Sequence, residues 1–196
     1  MVTTGQAAGA AGWSPARARL RWRQLETLRL LQRERVWQGM DPILRVTGRG
    51  IALCDLDLKP ARLDLARIRH SASVAGLSED LLTLHPGSTW ITERELRRDR
   101  MRDARERRRD RSRRTPDGML ISSDGSRLAV ELDLTPKRSG KLELLVGAYA
   151  LDRDVDRVLW YLPSETAVER MAQVVRARGL VQLVEPRLRR VARLPW

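Results

Sequence analysis

The sequence has few of the residues that support disulfide-linked or zinc-stabilised folds, and it has no long apolar run. Cys54 is the only cysteine among 196 residues, so the chain cannot form an internal disulfide. His70 and His85 are the only histidines, which leaves a zinc site without its usual ligands. No segment approaches the roughly 18 apolar residues of a membrane-spanning helix. Because the first residues also lack the pattern of a signal peptide, we expect a bacterial cytoplasmic protein with no membrane partner.

Lysine and phenylalanine are also scarce, although the chain is strongly basic. Phenylalanine is absent, and only three of the 38 basic residues are lysines, at positions 59, 137 and 141. The net charge of +13 and the isoelectric point near 11.3 favour a polyanion, above all DNA, as the partner. The same bias toward arginine is typical of GC-rich coding, so the charge alone does not decide the function.

Residues 94–114 carry more than half of this net charge. Twelve arginines stand against five acidic residues in the segment, with almost no apolar stripe beside them. This composition predicts an exposed helix or a mobile loop rather than a core helix. A solvated charge run is the general explanation, whereas an excess of one sign next to a strand with carboxylates favours a phosphate-binding arm. We predict DNA contacts from Arg97, Arg98, Arg100, Arg107, Arg108, Arg109, Arg113 and Arg114.

The N-terminal part predicts a tail, a helix and a hairpin. Residues 1–13 have the composition of a flexible tail, and a Ser-Pro pair then begins a helix in which Arg17 and Arg21 are predicted to bind DNA. Two strands follow, so that residues 14–54 resemble a partial winged helix. The alternative is a helix that packs on the main domain, on a second copy of the chain or on a partner protein. The apolar stripe of the helix is predicted at Leu20, Leu25, Leu28 and Leu31.

A linker containing a proline, residues 55–67, separates this segment from the rest. The patterns after it predict a helix from Ile68 to about Leu84 and a short strand at 88–93. Two strands around the turn "SSDGS", an apolar helix, the buried parallel strand "RVLWYLP", a second helix and a last strand follow. This order of elements predicts an α/β fold in which helices flank one mixed sheet.

The strand "RLAVELDL", residues 127–134, places two carboxylates in an apolar context. Because side chains alternate along a strand, the leucine and valine positions face the core, and Glu131 and Asp133 lie on the other face, about 7 Å apart. The turn before the strand decides whether Asp117 joins them. A two-residue turn would bury Asp117, whereas a three-residue turn with a left-handed Gly125 would pair it with Glu131. The charge of Asp117 favours the three-residue turn.

Three clustered carboxylates would repel one another unless a cation lies between them. Hard oxygen ligands suit Mg²⁺ or Mn²⁺, which can activate a water and stabilise a leaving phosphate oxygen. Lys137 and Lys141 follow the strand directly and would add a compact positive charge near the phosphate. The alternative is an acidic edge that faces solvent and is matched by basic neighbours, and the spacing leaves both interpretations open.

Short motifs in a fixed order resemble two related groups of proteins. The "PDG" at Asp117, followed after fourteen residues by "ELD", resembles the PD-(D/E)xK nuclease superfamily. The motifs "VTGRGIAL", "IRHSASVAGL", "WITERELRR", "TPDGML", "AVELDLTPK" and "VLWYLP" together are similar to the replication-relaxation family of mobile elements. This resemblance covers residues 14–186. It implies a winged helix joined to a nuclease-like domain, here residues 68–196, with the basic segment 94–114 as an insertion.

The resemblance also implies roles for particular residues. His70 matches a recurrent histidine of the family, although a lone histidine at a helix start is more often structural. Asp133 stands where the superfamily has its lysine, so either Lys137 replaces that lysine or the fold is kept without cleavage. The implied metal ligands and catalytic residues are Asp117, Glu131 and Asp133, with Lys137 as the lysine and Glu93 as a further acid.

These patterns favour a DNA endonuclease or nickase that depends on Mg²⁺ or Mn²⁺ and acts in a plasmid, phage or transposon. The alternative is a non-catalytic DNA-binding regulator, or an accessory protein of replication or relaxation, on the same fold. A third hypothesis is an interaction protein that forms a homodimer through its N-terminal helix and owes its charge to coding bias.

Overall fold

The chain forms two compact units that divide between Glu79 and Asp80. Within the described residues no helix combines the length and the hydropathy that crossing a bilayer demands. The structure is a computed structural model, in which residues 103–107 and 139 are described by their backbone only. The described ranges are residues 2–36, 38–39, 41–107, 114–135 and 137–189.

The first unit combines a small antiparallel sheet with short helices. Its elements are β1 (Val2–Thr3), α1 (Thr4–Ala10), α2 (Pro15–Thr27), β2 (Leu31–Glu34), β3 (Ile43–Val46) and α3 (Gly48–Leu53). The strands lie in the order β1-β3-β2. The prediction of a flexible tail over residues 1–13 is therefore wrong for β1 and α1. A capping box starts α1, since the side chains of Thr3 and Gln6 each accept a hydrogen bond from the other's backbone N–H.

The apolar face of α2 differs from the predicted leucine stripe. Ala18 and Trp22 are buried in a cluster with Leu31, and Leu25 packs against that cluster as predicted, whereas Leu20 and Leu28 are 58% and 52% exposed. The helix ends before residue 29, which takes a left-handed conformation, so Leu31 belongs to β2 and cannot continue the stripe. The large apolar area of Trp22 decides which face is buried.

The hairpin of the first unit is present, but it begins earlier in the chain than the strand, turn and strand predicted over residues 36–53, because β2 lies within the segment predicted as helix. Its last six predicted residues form α3, because Thr47 caps a helix there and its Oγ accepts a hydrogen bond from the Gly50 N–H at 3.1 Å. β2 and β3 pair in an antiparallel register. Residues 54–64 are all described and form no helix or strand. They include most of the linker predicted at residues 55–67.

The second unit is built on a five-stranded mixed sheet flanked by helices, as the order of elements predicted. The strands lie in the order β4-β5-β6-β7-β8, with antiparallel pairs up to β6 and parallel pairs from β6 onward. The division between the units falls inside α4, which ends at Leu84. α4 (Leu65–Leu84) is therefore shared by both units. The elements of the second unit after it are β4 (Thr89–Thr92), α5 (Glu93–Arg107), β5 (Gly118–Ile121), β6 (Arg127–Leu132), α6 (Ser139–Ala150), β7 (Arg157–Leu162), α7 (Glu165–Ala177) and β8 (Val184–Leu188).

Local signals explain why the parallel part folds as predicted. After its first residue β7 is apolar and buried, which suits a strand covered on both faces. Ser164 begins α7, because its Oγ accepts a hydrogen bond from the Ala167 N–H at 3.3 Å. Gly179 follows the end of α7 in a left-handed conformation that glycine adopts without strain.

The basic segment begins as α5, one of the two structures predicted for it. Leu96 is only 7% exposed and belongs to the core cluster of the second unit. The expectation that this helix packs nothing into the core is therefore wrong. One leucine among many arginines makes no periodic pattern, but it is enough to hold the first turns of the helix against the sheet.

Both faces of β6 are buried, which corrects the prediction for its carboxylates. Val130 and Leu132 fill one face as predicted, but Glu131 and Asp133 on the other face are only 1% and 6% exposed. The parallel pairing of β6 with β7 requires a crossover connection, and its helix α6 covers this face. Tyr149 of α6 reaches Glu131 by a hydrogen bond. The alternative of an acidic edge that faces solvent is therefore wrong.

Candidate functional site

The turn between β5 and β6 has the register that the sequence favoured. The Ser122 N–H donates to the Ser126 carbonyl, and the Gly125 N–H donates to the Ser122 carbonyl, both at 2.9 Å. Gly125 is left-handed, with a φ of 87°. Continued by one residue, the register of β5 and β6 places Asp117 opposite Glu131. The prediction of a three-residue turn is therefore confirmed.

Glu131 is held by a guanidinium on both of its oxygens. The Nε and Nη2 atoms of Arg114 donate to Oε1 and Oε2 of Glu131, each at 2.6 Å. The Tyr149 hydroxyl donates to Oε1 as well. The guanidinium also lies over the ring of Trp160, with its carbon 5.7 Å from the ring centroid. This is the two-point geometry in which arginine binds a carboxylate most strongly, and here the carboxylate is buried.

Asp133 has a cation and an indole as its partners. Lys137, four residues further along the chain, donates to Oδ1 of Asp133. The Nε1 atom of Trp160 donates to Oδ2 at 3.1 Å. Lys137 therefore reaches back to the position where the resembled superfamily has its lysine, and it forms an ion pair with the aspartate that stands there.

Asp117 contacts the backbone of β6. Its Oδ2 accepts a hydrogen bond from the Leu132 N–H at 2.9 Å. Leu132 lies between Glu131 and Asp133, so the bond fixes Asp117 next to the strand that carries both acids. One of its two oxygens is thus used to hold β5 and β6 together.

A second ion pair, Arg100 with Asp152, holds the backbone of Arg114. Nη2 of Arg100 lies 3.1 Å from Oδ2 of Asp152, whose side chain is 4% exposed. Nη1 of Arg100 donates to the carbonyl of Arg114 and lies 3.4 Å from Oγ1 of Thr115. Arg100 is therefore a positioning residue for Arg114. Arg100 and Arg114, two residues predicted to contact DNA, thus pair with the buried acids Asp152 and Glu131.

Burial shifts the protonation equilibria of this centre. Burial raises the pKa of the Glu131 carboxyl, and the hydrogen bonds and charge of Arg114 oppose the rise. Burial lowers the pKa of the Arg114 guanidinium, but Glu131 outweighs that effect and the net pKa is raised. Burial and the charge of Glu131 raise the pKa of Tyr149. Burial and the charge of Arg114 lower the pKa of Lys137. At neutral pH the guanidinium is charged and the phenol is neutral.

The remaining predicted acid and arginines have other surroundings. Glu93 begins α5 and pairs with Arg97 at 2.6 Å, one helical turn further on. Arg98 pairs with Asp99 at 2.8 Å. The side chain of Arg107 lies outside the described residues, as do Arg108, Arg109 and Arg113.

The other predicted site residues lie along helices. Lys141 is exposed in the first turn of α6, and His70 is half-buried in the second turn of α4. Arg17 and Arg21 are exposed on α2 of the first unit.

The carboxylates in this arrangement do not fit a divalent ion. Both oxygens of Glu131 bind Arg114, and both oxygens of Asp133 bind Lys137 and Trp160. Among the described residues no group of three or more Asp, Glu, His or Cys side chains is arranged to hold a metal. The predicted meeting of three acids around a shared ion is therefore not the geometry observed, although the register that it required is present.

Two partners of the acids, Tyr149 and Trp160, and the further buried acid Asp152 were missed by the sequence analysis. Tyr149 and Trp160 stand in segments so apolar that both were taken as core residues, and both are buried. A buried tyrosine or tryptophan needs a partner for its O–H or N–H, and the two acids of β6 are those partners. Asp152, at the end of α6, carried no comparable signal. The sequence signal that could have identified Tyr149 and Trp160 is the polar atom of each side chain, which needs a hydrogen-bond acceptor when the residue is buried.

Comparison with known proteins identifies no relative. The chain matches no family model, no curated protein and no solved structure. The similarity to the replication-relaxation family therefore stays a prediction from short motifs.

Proposed function

We propose that the protein binds DNA through its first unit and does not cleave it, as a regulator or accessory protein on a nuclease-like scaffold. The observation that carries the binding is the succession of α1, a short turn and α2. The observation that argues against cleavage is the guanidinium of Arg114 on both oxygens of Glu131.

α1 and α2 have the connection of a helix-turn-helix. Residues 11–14 form a four-residue turn between them, and Gly12 within it is left-handed with a φ of 61°. DNA-binding helix-turn-helix units join their helices by such a turn, and the second helix enters the major groove. The hairpin of β2 and β3 follows α2 directly, as the wing does in a winged helix. In this proposal α2 is the recognition helix.

The exposed surface of α2 supports this assignment. Ala18 and Trp22 define its buried side, and arginines 17, 19, 21 and 23 are all exposed. The guanidinium of Arg17 lies 5.9 Å from the ring centroid of Trp13, and Nη1 of Arg21 donates to Gln24 at 3.0 Å. Phosphate contacts from arginines supply most of the affinity of such units.

The second unit supports the comparison with nucleases through its order of elements. After α4, which both units share, come β4, β5, β6, α6 and β7, with α5 inserted between β4 and β5. Apart from α5 this is a helix, three antiparallel strands, a helix and a parallel strand. We propose that this is a PD-(D/E)xK-like core whose acids are neutralised by Arg114 and Lys137. Likeness of fold does not supply activity, because activity depends on the groups at the site.

A salt titration tests the binding. We expect the logarithm of the association constant for duplex DNA to fall steeply with the logarithm of salt concentration. Replacing both Arg17 and Arg21 by alanine should make the slope less steep by about 2 and weaken binding about tenfold or more, since each lost phosphate contact removes about 0.9 from the slope. The control with the same charge change replaces the exposed Arg153 and Arg170 of the second unit. A flat slope for the wild type would refute DNA binding.

The second candidate function is a metal-dependent endonuclease or nickase. The specific observation in its favour is the register that sets Asp117 opposite Glu131. Such an enzyme would require Arg114 to leave Glu131. Incubation of supercoiled plasmid with Mg²⁺ or Mn²⁺ separates the two candidates, with Glu131→Gln as the control. Nicking by the wild type that is lost in the variant would establish the enzyme, and intact plasmid in both cases agrees with the proposal above.

A further inference from the structure

We infer that Arg114 is a built-in cation that replaces a divalent ion at the acids of β6, and that removing its charge converts the centre into a site for Mn²⁺ or Mg²⁺. The inference concerns ion binding alone and does not depend on whether the first unit binds DNA.

The charges around the centre match those of an ion site. Asp117, Glu131 and Asp133 carry three negative charges, and Arg114 and Lys137 together carry two positive charges, as one divalent ion would. Glu131 has a side-chain exposure of only 1%, so an uncompensated negative charge there would be strongly unfavourable. The cation that occupies this position belongs to the chain itself.

The guanidinium is fixed on several sides. It binds Glu131 at two points and lies over the ring of Trp160. Its own backbone carbonyl accepts from Arg100, and Arg100 is held by the buried Asp152. A surface arginine that happened to meet an acid would not have a second buried ion pair to hold its backbone. This support distinguishes Arg114 from Arg97, whose pair with Glu93 is more exposed.

The donor atoms that remain after removal of the guanidinium suit a hard cation. Glu131 would present two oxygens in a buried position, and Asp117 lies opposite it in the register of β5 and β6. Carboxylate oxygens supplemented by water are the ligands that Mg²⁺ and Mn²⁺ prefer. Methionine is shorter than arginine and has no charge, so Arg114→Met removes the cation and keeps an unbranched, adaptable apolar stem at this position.

Direct Mn²⁺ binding tests the inference, measured by the loss of the free-ion electron paramagnetic resonance signal. We expect the wild type to bind Mn²⁺ without stoichiometry and only weakly. The dissociation constant of Arg114→Met for Mn²⁺ should be lower by about tenfold or more, because a buried carboxylate without its guanidinium is stabilised by another cation. Binding should vanish in the double variant Arg114→Met with Glu131→Gln. Arg97→Met is the matched control, since it removes an arginine from an exposed pair, and it should behave like the wild type.

Each outcome decides the inference. The inference is overturned if the wild type binds Mn²⁺ stoichiometrically and Glu131→Gln abolishes that binding, because an ion would then displace Arg114. An Arg114→Met protein that neither binds Mn²⁺ nor gains thermal stability from it also overturns it, whether or not the variant folds without the ion. A failed DNA titration leaves these readouts unaffected, because they contain no nucleic acid.

Discussion

Tyr149 and Trp160 meet edge to face, with ring centroids 6.2 Å apart and an interplanar angle of 83°. One ring donates a hydrogen bond to Glu131 and the other to Asp133. The two acids of β6 are therefore bound into the aromatic part of the core rather than left at a surface. Changes at this centre should consequently affect the stability of the second unit.

The pair of Arg114 and Glu131 should be strongly coupled. Arg114→Met leaves a buried carboxylate without its cation and should destabilise the second unit by about 3–5 kcal/mol. Adding Glu131→Gln removes the unpaired charge, so the double variant should recover part of that loss. Amide hydrogen exchange of β6 measures the stability of this unit by itself. Arg97→Met, in an exposed pair, should cost no more than about 1 kcal/mol, and equal losses in both single variants would contradict a buried ion pair.

Tyr149 should remain protonated at high pH. Burial and the charge of Glu131 raise its pKa, so the neutral phenol is favoured well above the pH at which an exposed tyrosine ionises. The chain has only two tyrosines, so a Tyr161→Phe variant reports Tyr149 alone. Its absorbance at the phenolate wavelength should not rise until the protein unfolds in alkali. A reversible rise in the folded protein near pH 10, the ordinary tyrosine value, would contradict the contact with Glu131.

The hydroxyl of Tyr149 should also contribute to stability. Tyr149→Phe keeps the ring and removes one of the hydrogen bonds to the buried Glu131, which should cost about 1–3 kcal/mol. Tyr161→Phe is a matched control, because the Tyr161 hydroxyl accepts a longer bond, 3.3 Å, from Arg187. Urea denaturation of both variants measures the difference. Equal stability of the two variants would count against the role of the Tyr149 hydroxyl.

Lys137 should titrate below the ordinary lysine value. Burial and the nearby charge of Arg114 lower its pKa, because both disfavour the charged ammonium. With only three lysines in the chain, ¹³C-labelled dimethyl groups give three lysine signals beside that of the α-amino group, and single Lys→Arg variants assign them. The signal of Lys137 should shift at a lower pH than the ordinary value of about 10.4. Arg114→Met should move its titration upward, and no movement would contradict their proximity.

Gly118 should be required where β5 passes Trp90 of β4. A Cβ atom on Gly118 would overlap the indole ring, so Gly118→Ala should cost about 1–3 kcal/mol through forced displacement of the ring. The control is Gly140→Ala in the first turn of α6, where a Cβ atom meets nothing within 4 Å. Alanine favours helix there, so that variant should be neutral or slightly stabilised. Urea denaturation gives both values, and comparable results would refute the steric role of Gly118.

The sequence predicted the sheet of the second unit because its signals are local. Alternation in β6, the apolar run of β7 and the cap at Ser164 each act within a few residues, and the turn at Gly125 fixed the register. The helix α1 was missed because its signal is a polar capping box in a segment of small residues. Periodic hydrophobicity detects no such helix.

The composition of the site could not be predicted in the same way. Arg114 reaches Glu131 across 17 positions, and Arg100 reaches Asp152 across 52. A run of arginines does not indicate which of them pair with buried acids, because every arginine side chain carries the same charge. Only the fold selects Arg100 and Arg114 from the others.

The long separation between Arg100 and Asp152 has a consequence for biosynthesis. A ribosome makes Arg100 first, and its partner is added 52 residues later, together with the end of α6. During that interval the guanidinium of Arg100 cannot pair with Asp152, so water has to hydrate its charge. The contact that positions Arg114 can therefore be completed only after β4, β5, β6 and α6 have been translated.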